Sequence, residues 1–398
     1  MKYYVITLAL MSLLSACGGG GGGSASVDPS GSGGGGSGAG GGSGGGGSTG
    51  PSEPTADAYR DAALILDIGT FGARYSDVES VAEIGVDTWL DEQFSMPISL
   101  HEPIVRRYAA QYGFDNQDSP IPVGHFRRFA FFENALTAPD QLRQVTAYAL
   151  TQLFVVSQTG VLGNNPLGLS SYYDTLLTHS FGNYRDLLRA VTLHPAMGFY
   201  LSHVNNGKTD PAANTFPDEN YAREVMQLFT IGIYELNPDG TQKLDTDGRP
   251  IPTYDNTDIR EFSKIFTGLA YAGADGQEPQ FGRNRAVLHA PMVMFDGYHE
   301  QGEKYLLNEF VVPDGQTGFQ DIDDAVDNLF NHPNVGPFVG KQMIQRLVSS
   351  NPSPEYVSRI SAVFADNGNG VRGDMQAVIR AILTDPEVAD ASRVREPF

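Results

Sequence analysis

The chain of 398 residues has a single cysteine, Cys17, so no disulfide can form within it and the core must stand on packing alone. Basic residues are scarce as well: 26 Lys and Arg stand against 47 Asp and Glu, a formal charge of −21. Nucleic acid and anionic head groups are therefore poor partners. The apolar stretch from Tyr3 to Leu14 is too short to span a bilayer. The familiar catalytic signatures are missing too. There is no His-Glu-x-x-His zinc motif, no Gly-x-Ser-x-Gly elbow, no dinucleotide glycine fingerprint and no phosphate-binding Walker loop.

What is present begins with an address. Lys2, the apolar stretch and the small residues before Cys17 have the parts of a secretory signal. Leu14-Ser15-Ala16-Cys17 resembles the lipobox of bacterial lipoproteins. The resemblance implies cleavage after residue 16, acylation of Cys17, and a membrane association through that N-terminal lipid anchor only. Gly18 follows, with no aspartate retention signal, which implies the outer membrane, at its periplasmic face or the cell surface. From Gly18 to Gly50 glycine and serine dominate, a composition that buries too little apolar area to order itself and gives a flexible tether with a reach of roughly 30 Å. The expected organisation is a signal peptide over 1–16, a lipidated tether over 17–56 and a folded domain over 57–398.

Helical periodicity dominates that domain and predicts an all-α fold, a multi-helix globular domain with long irregular loops. Leu142, Val145, Ala149, Leu153 and Val156 place one apolar stripe on a long helix over 140–157. Ser76 with Glu79, and Asn183 with Asp186, have the spacing of helix-capping pairs. Further stripes run through Ile259, Phe262, Ile265 and Phe266, through Ile322, Val326, Leu329 and Phe330, and through Val357, Ile360 and Phe364. Pro195, Pro333 and Pro386 each stop a helix, since proline excludes its predecessor from the helical region. His-Pro-x-x-Gly occurs at 194–198 and again at 332–336, which suggests two related helical halves, about 57–236 and 255–398. Histidines at such boundaries are expected to cap backbone carbonyls.

Three segments carry candidate chemistry. Pro217-Asp218-Glu219-Asn220-Tyr221-Ala222-Arg223-Glu224 opens a helix whose apolar side is Tyr221, Val225, Leu228 and Phe229. Glu219 and Arg223 are four apart, as are Asn220 and Glu224, so polar pairs lie along neighbouring faces close to apolar surface. His299-Glu300-Gln301-Gly302-Glu303-Lys304 puts an imidazole, an ammonium and two acids on a loop, where functional groups gather. Glu219, Arg223, Glu224, His299 and Lys304 together form the candidate catalytic pocket. Asp245 and Asp247, in an acid-rich interruption over 237–258, are a weak calcium candidate, because the next alternating position is Arg249 rather than an oxygen ligand.

These segments also carry a resemblance. Asp140-Gln141-Leu142-Arg143-Gln144 with the run from Ala149 to Ser157, then Glu219-Asn220-Tyr221-Ala222-Arg223-Glu224-Val225-Met226-Gln227-Leu228, Phe266-Thr267-Gly268, and His299 with Lys304 resemble the bacterial family catalogued as domain of unknown function 1800. The likeness runs from Ala63 and Thr70-Phe71-Gly72 to Ala381-Ile382-Leu383. It implies an exported, helix-rich protein, often encoded beside a member of the exported family numbered 1501, which resembles phosphatase and sulfatase enzymes. Phe229 stands where many members have histidine, and Leu269 where many have tryptophan. Three functions follow as expectations. The first is a binding or accessory module acting at the cell envelope on a polymer or with that neighbouring enzyme. The second is an acid–base enzyme, hydrolase-like, on an extracellular polymer, using Glu219, Glu224 and His299. The third is a calcium-stabilised structural lipoprotein.

Overall fold

The computed structural model describes residues 53–113, 123–160, 162–273, 277–283 and 288–389, so the expected signal and most of the tether lie outside the described residues. Fifteen α-helices, four single-turn 3-10 helices and two short antiparallel ladders make up the described regular structure. The first group is α1 (Ala56–Gly69), α2 (Tyr75–Ile84), α3 (Val86–Ser95), α4 (Glu102–Tyr112), α5 (Phe126–Thr137) and α6 (Gln141–Thr151). Next come α7 (Pro166–His179), α8 (Tyr184–Leu193), α9 (Pro195–Tyr200), α10 (Asn220–Gln227) and α11 (Asn256–Ile265). After the ladders follow α12 (Gly318–Phe330), α13 (Val335–Leu347), α14 (Pro354–Ala365) and α15 (Met375–Leu383).

The ladders qualify the all-α expectation. β1 (Leu269–Ala270) pairs with β2 (Val293–Met294), and β3 (Lys304–Tyr305) with β4 (Val311–Val312). Each is two residues long and clips a loop by pairing its backbone groups. The segment over 233–253 works in the same way. Its legs exchange Glu235 N–H to Ile251, Lys243 N–H to Glu235 and Ile251 N–H to Lys243, each at 2.8–3.1 Å.

Local chemistry sets most boundaries. Asn183 caps α8, accepting from Arg185 N–H at 2.9 Å, and Asp255 with Asp258 forms a capping box at α11, as Thr317 with Gln320 does at α12. At α2 the bond is made by Asp77, whose Oδ2 accepts Arg74 N–H at 2.7 Å, rather than by Ser76 and Glu79, because the helix opens one residue before Ser76, at Tyr75. All three prolines stop helices as expected: α8 ends at Leu193, α12 at Phe330 and α15 at Leu383. The histidines before the first two cap N–H groups, not carbonyls: His194 Nδ1 accepts from Ala196 N–H at 3.2 Å and His332 Nδ1 from Asn334 N–H at 3.1 Å.

The long helix expected over 140–157 stops at Thr151, and Leu153 and Phe154 enter the core from the turn beyond it. Its buried face is partly polar. Gln144 bonds His101 Nε2 at 3.1 Å and the Ser99 carbonyl at 2.9 Å, which pins the chain before α4 to α6. One buried apolar cluster runs from Ala62 to Leu383 and draws on both sequence halves. A small satellite of Val105, Ala109, Phe126 and Ala130 joins α4 to α5.

Candidate functional site

The motif Glu219–Glu224 lies across the start of α10. Tyr221 and Ala222 face the core, while Glu219 and Arg223 form an exposed ion pair at 3.6 Å. Tyr221 stacks on His203 with ring centroids 3.9 Å apart, and its hydroxyl meets Thr192 Oγ1 at 2.7 Å. Since Thr192 Oγ1 donates to the Leu188 carbonyl at 2.7 Å, the tyrosine is the donor. Leu228 is exposed, because the helix closes at Gln227 and the turn swings it outward. Phe229 instead packs on Phe154 at 5.1 Å, and its carbonyl accepts the Tyr184 hydroxyl at 2.5 Å. The half-buried Glu224 has its carboxyl raised by burial, against the opposing pull of Arg223. Glu219→Gln is therefore expected to change stability by no more than about 0.5 kcal/mol, whereas Tyr221→Phe costs about 1 kcal/mol, measured by urea unfolding.

His299 and Lys304 converge, and their partner is Asp321, on α12. His299 Nε2 lies 2.9 Å from Asp321 Oδ2, and Lys304 Nζ lies 2.6 Å from the same oxygen. Gln316 donates to Asp321 Oδ1 at 3.0 Å and to Asp324 Oδ2 at 2.8 Å. His299, Lys304 and Asp321 are all buried. His299 Nδ1 faces the Thr267 carbonyl at 3.0 Å and donates to it. Thr267 Oγ1 accepts Glu300 N–H at 2.8 Å and donates to the Lys264 carbonyl at 2.6 Å. Gly268 follows at φ +84°, and a Cβ there would stand 2.9 Å from the Phe295 carbonyl oxygen and 3.0 Å from His299 Cβ. The group is a closed lock between the C-terminal end of α11, β3 and α12. No hydrogen bond or ion pair described joins Glu219 or Glu224 to it.

Asp245 and Asp247 build a turn. Asp245 Oδ1 accepts N–H from Asp247 at 2.8 Å and Arg249 at 2.9 Å, and Asp247 pairs with Arg249 at 3.3 Å. Among the described residues no group of three or more His, Cys, Asp or Glu is placed to hold a metal ion.

A concavity lies between α4, α7 and α8. It has a volume of about 700 Å³. Leu100, Pro103, Ala190, Leu193 and Pro291 supply its apolar surface, and Glu102, Arg106, Ser171, Asp174, Thr175, Thr178, His179, Arg189 and His194 its polar groups. Asp174 is 8 % exposed and receives N–H from His101 at 2.7 Å and Glu102 at 2.9 Å, so it staples the start of α4 to α7. Burial outweighs these two bonds and pushes its carboxyl up to about 7. His194 and His179 are both lowered by burial, His194 to about 3. With Nδ1 accepting from Ala196, His194 carries its proton on Nε2 and donates to Ser171 Oγ at 3.2 Å. A serine activated by a histidine base needs the opposite polarity.

A model of the family described as a protein of unknown function, DUF1800, matches residues 65–398, almost the whole described body. The chain belongs to the DUF1800 family. No curated protein and no solved structure matches it. Of the residues that carry the DUF1800 resemblance, Thr267, Gly268, His299 and Lys304 meet in one lock, while Tyr221 and Ala222 go to the core. Sequence reasoning missed Asp321, which is one of five aspartates between Asp314 and Asp327 and whose only mark is its place beside Ile322 on an apolar stripe. It also missed Asp174 and His179 of the cavity. Asp174 carries a visible signal as a lone acid between Tyr173 and Leu176-Leu177, in a helix otherwise free of charge.

Proposed function

We propose that this DUF1800 member is an exported, lipid-anchored binding module that acts at the cell envelope on a polymer or alongside a neighbouring exported enzyme. The observation that carries the reading is the wiring of the cavity: its one hydroxyl–imidazole pair donates from His194 to Ser171, so the site has the shape of a binding pocket without an activated nucleophile. The exposed position of the Glu219–Arg223 pair and the closed state of the His299 lock add support, since neither offers a group poised to act on a substrate.

An acid–base enzyme is the second reading, and Asp174 rather than Glu219 or Glu224 favours it. A carboxyl that burial pushes up to about 7, in a cavity that His179 also lines, is suited to proton transfer. One experiment separates the two: co-sedimentation of the full-length chain with purified envelope polymer, followed by assay of the supernatant for released fragments. The module reading expects saturable retention and no fragments. Fragment release that Asp174→Asn abolishes would replace it with the enzyme reading.

A further inference from the structure

The ligand class follows from counting donors and acceptors around the cavity between α4, α7 and α8. On α7, Ser171, Asp174, Thr175 and Thr178 follow one another at helical spacing along the cavity wall. Their hydroxyl hydrogens are already engaged: Thr175 donates to the Ser171 carbonyl at 2.9 Å, Thr178 to the Asp174 carbonyl at 2.7 Å, and Ser171 to the His289 carbonyl at 3.4 Å. What each hydroxyl has left for a ligand is lone pairs, and Asp174 adds a carboxylate whose two oxygens have accepted only one N–H apiece. The two arginines that line the cavity are paired with carboxylates, Arg106 with Glu102 at 2.5 Å and Arg189 with Asp323 at 2.5 Å. The α7 wall is therefore rich in acceptors, and each guanidinium that lines the cavity is already paired with a carboxylate.

Opposite that wall, Leu100, Pro103, Leu193 and Pro291 offer apolar contact. A ligand that satisfies both must present donors along one edge and C–H groups on a face, and must not be anionic. The volume of about 700 Å³ lies within the range of small-molecule sites, about 300–1,000 Å³.

We propose that this cavity binds a donor-rich sugar unit, an amino sugar above a neutral one, with its ammonium or hydroxyl groups on Asp174 and the α7 hydroxyls and its ring face on the apolar wall. The proposal rests on the reading of the chain as a polymer-binding module. Carboxylate-bearing sugars are disfavoured, because the α7 hydroxyls have no hydrogen left to donate to them.

Isothermal titration of the full-length chain with three oligomers of matched length, built from glucosamine, glucose and glucuronate, tests it. The glucosamine oligomer is expected to bind roughly tenfold or more tighter than the glucose oligomer, the equivalent of one hydrogen bond to a charged group, and the glucuronate oligomer not at all. A protein of charge −21 attracts any polycation, so the deciding comparison is with Ala190→Trp, which fills the cavity and leaves the charge unchanged. Ala190→Trp should abolish the preference, and Thr175→Val, which removes an acceptor at constant shape, should weaken glucosamine binding several-fold should the tryptophan variant not fold. Equal binding by the glucuronate oligomer, or binding unchanged in both variants, overturns the proposal. Co-sedimentation with envelope polymer then tells the two failures apart. Retention that Ala190→Trp leaves intact ends the cavity assignment and keeps the module reading, whereas a wild-type chain that is not retained ends the module reading itself.

Discussion

Asp321→Leu is expected to destabilise the protein by about 3–5 kcal/mol, read as a drop in the urea midpoint, because it leaves the Lys304 ammonium in the interior without its counter-charge. Removing the ammonium as well should reverse most of that loss. The double variant Asp321→Leu with Lys304→Met replaces the ion pair by apolar volume, and such exchanges are frequently neutral, so its midpoint should return toward wild type. If the double variant is as unstable as the single one, the lock is not held by charge pairing. Acid should mimic the single substitution. Burial raises the Asp321 carboxyl, but the bonds from His299, Lys304 and Gln316 outweigh burial and leave it below the usual carboxylate range. A group lowered in the folded state contributes stability that is complete above its unfolded value, about 3.9, and is lost as the pH falls through the folded value. The contribution of Asp321 should therefore disappear only in strong acid, and the single variant should show a flatter stability profile there.

Asn334→Ala is expected to cost about 2–4 kcal/mol by the same measurement. Its side chain is completely buried, donates to the carbonyls of Ile231 and Tyr234 at 2.8 Å each, and accepts Leu236 N–H at 2.9 Å. Alanine leaves three backbone groups short of a partner where water has little access. Asn334→Asp is a sharper test, since it keeps the acceptor for Leu236 but turns a carboxylate oxygen toward two carbonyls. It should be at least as damaging as alanine. A midpoint within experimental error of wild type would mean that the turn after α10 is held by other contacts.

Much of the framework was legible because it is written in local chemistry. The three proline stops, the Asn183 cap and the stripes of α11, α12 and α14 depend on neighbours within a few residues, and each lies where the sequence places it. The long helix over 140–157 failed because Leu153 and Phe154 satisfy helical spacing while their backbone has already left the helix, so periodicity alone cannot see the stop at Thr151. The candidate site was legible only in part. His299 and Lys304 are close in sequence and were grouped correctly with each other, but Asp321 is brought to them by the packing of α12, which no local rule encodes. The cavity was invisible for the same reason, since Asp174 meets the start of α4 across seventy residues of chain.

The packing of α1 against α15 has a bearing on how the chain reaches this state. Ala62 and Leu383 belong to one buried cluster, so the first helix made cannot complete its contacts until the last has been added. The entropy of closing so long a loop grows only as the logarithm of its length, which makes the closed state affordable, but the delay is unavoidable for a chain that emerges from one end. Through that interval the apolar stripe of α1, including Ile65 and Leu66, lacks part of its cover and is a site for protease or for self-association. A chain cut short before α15 is therefore expected to be lost to degradation rather than to accumulate as a partly working domain.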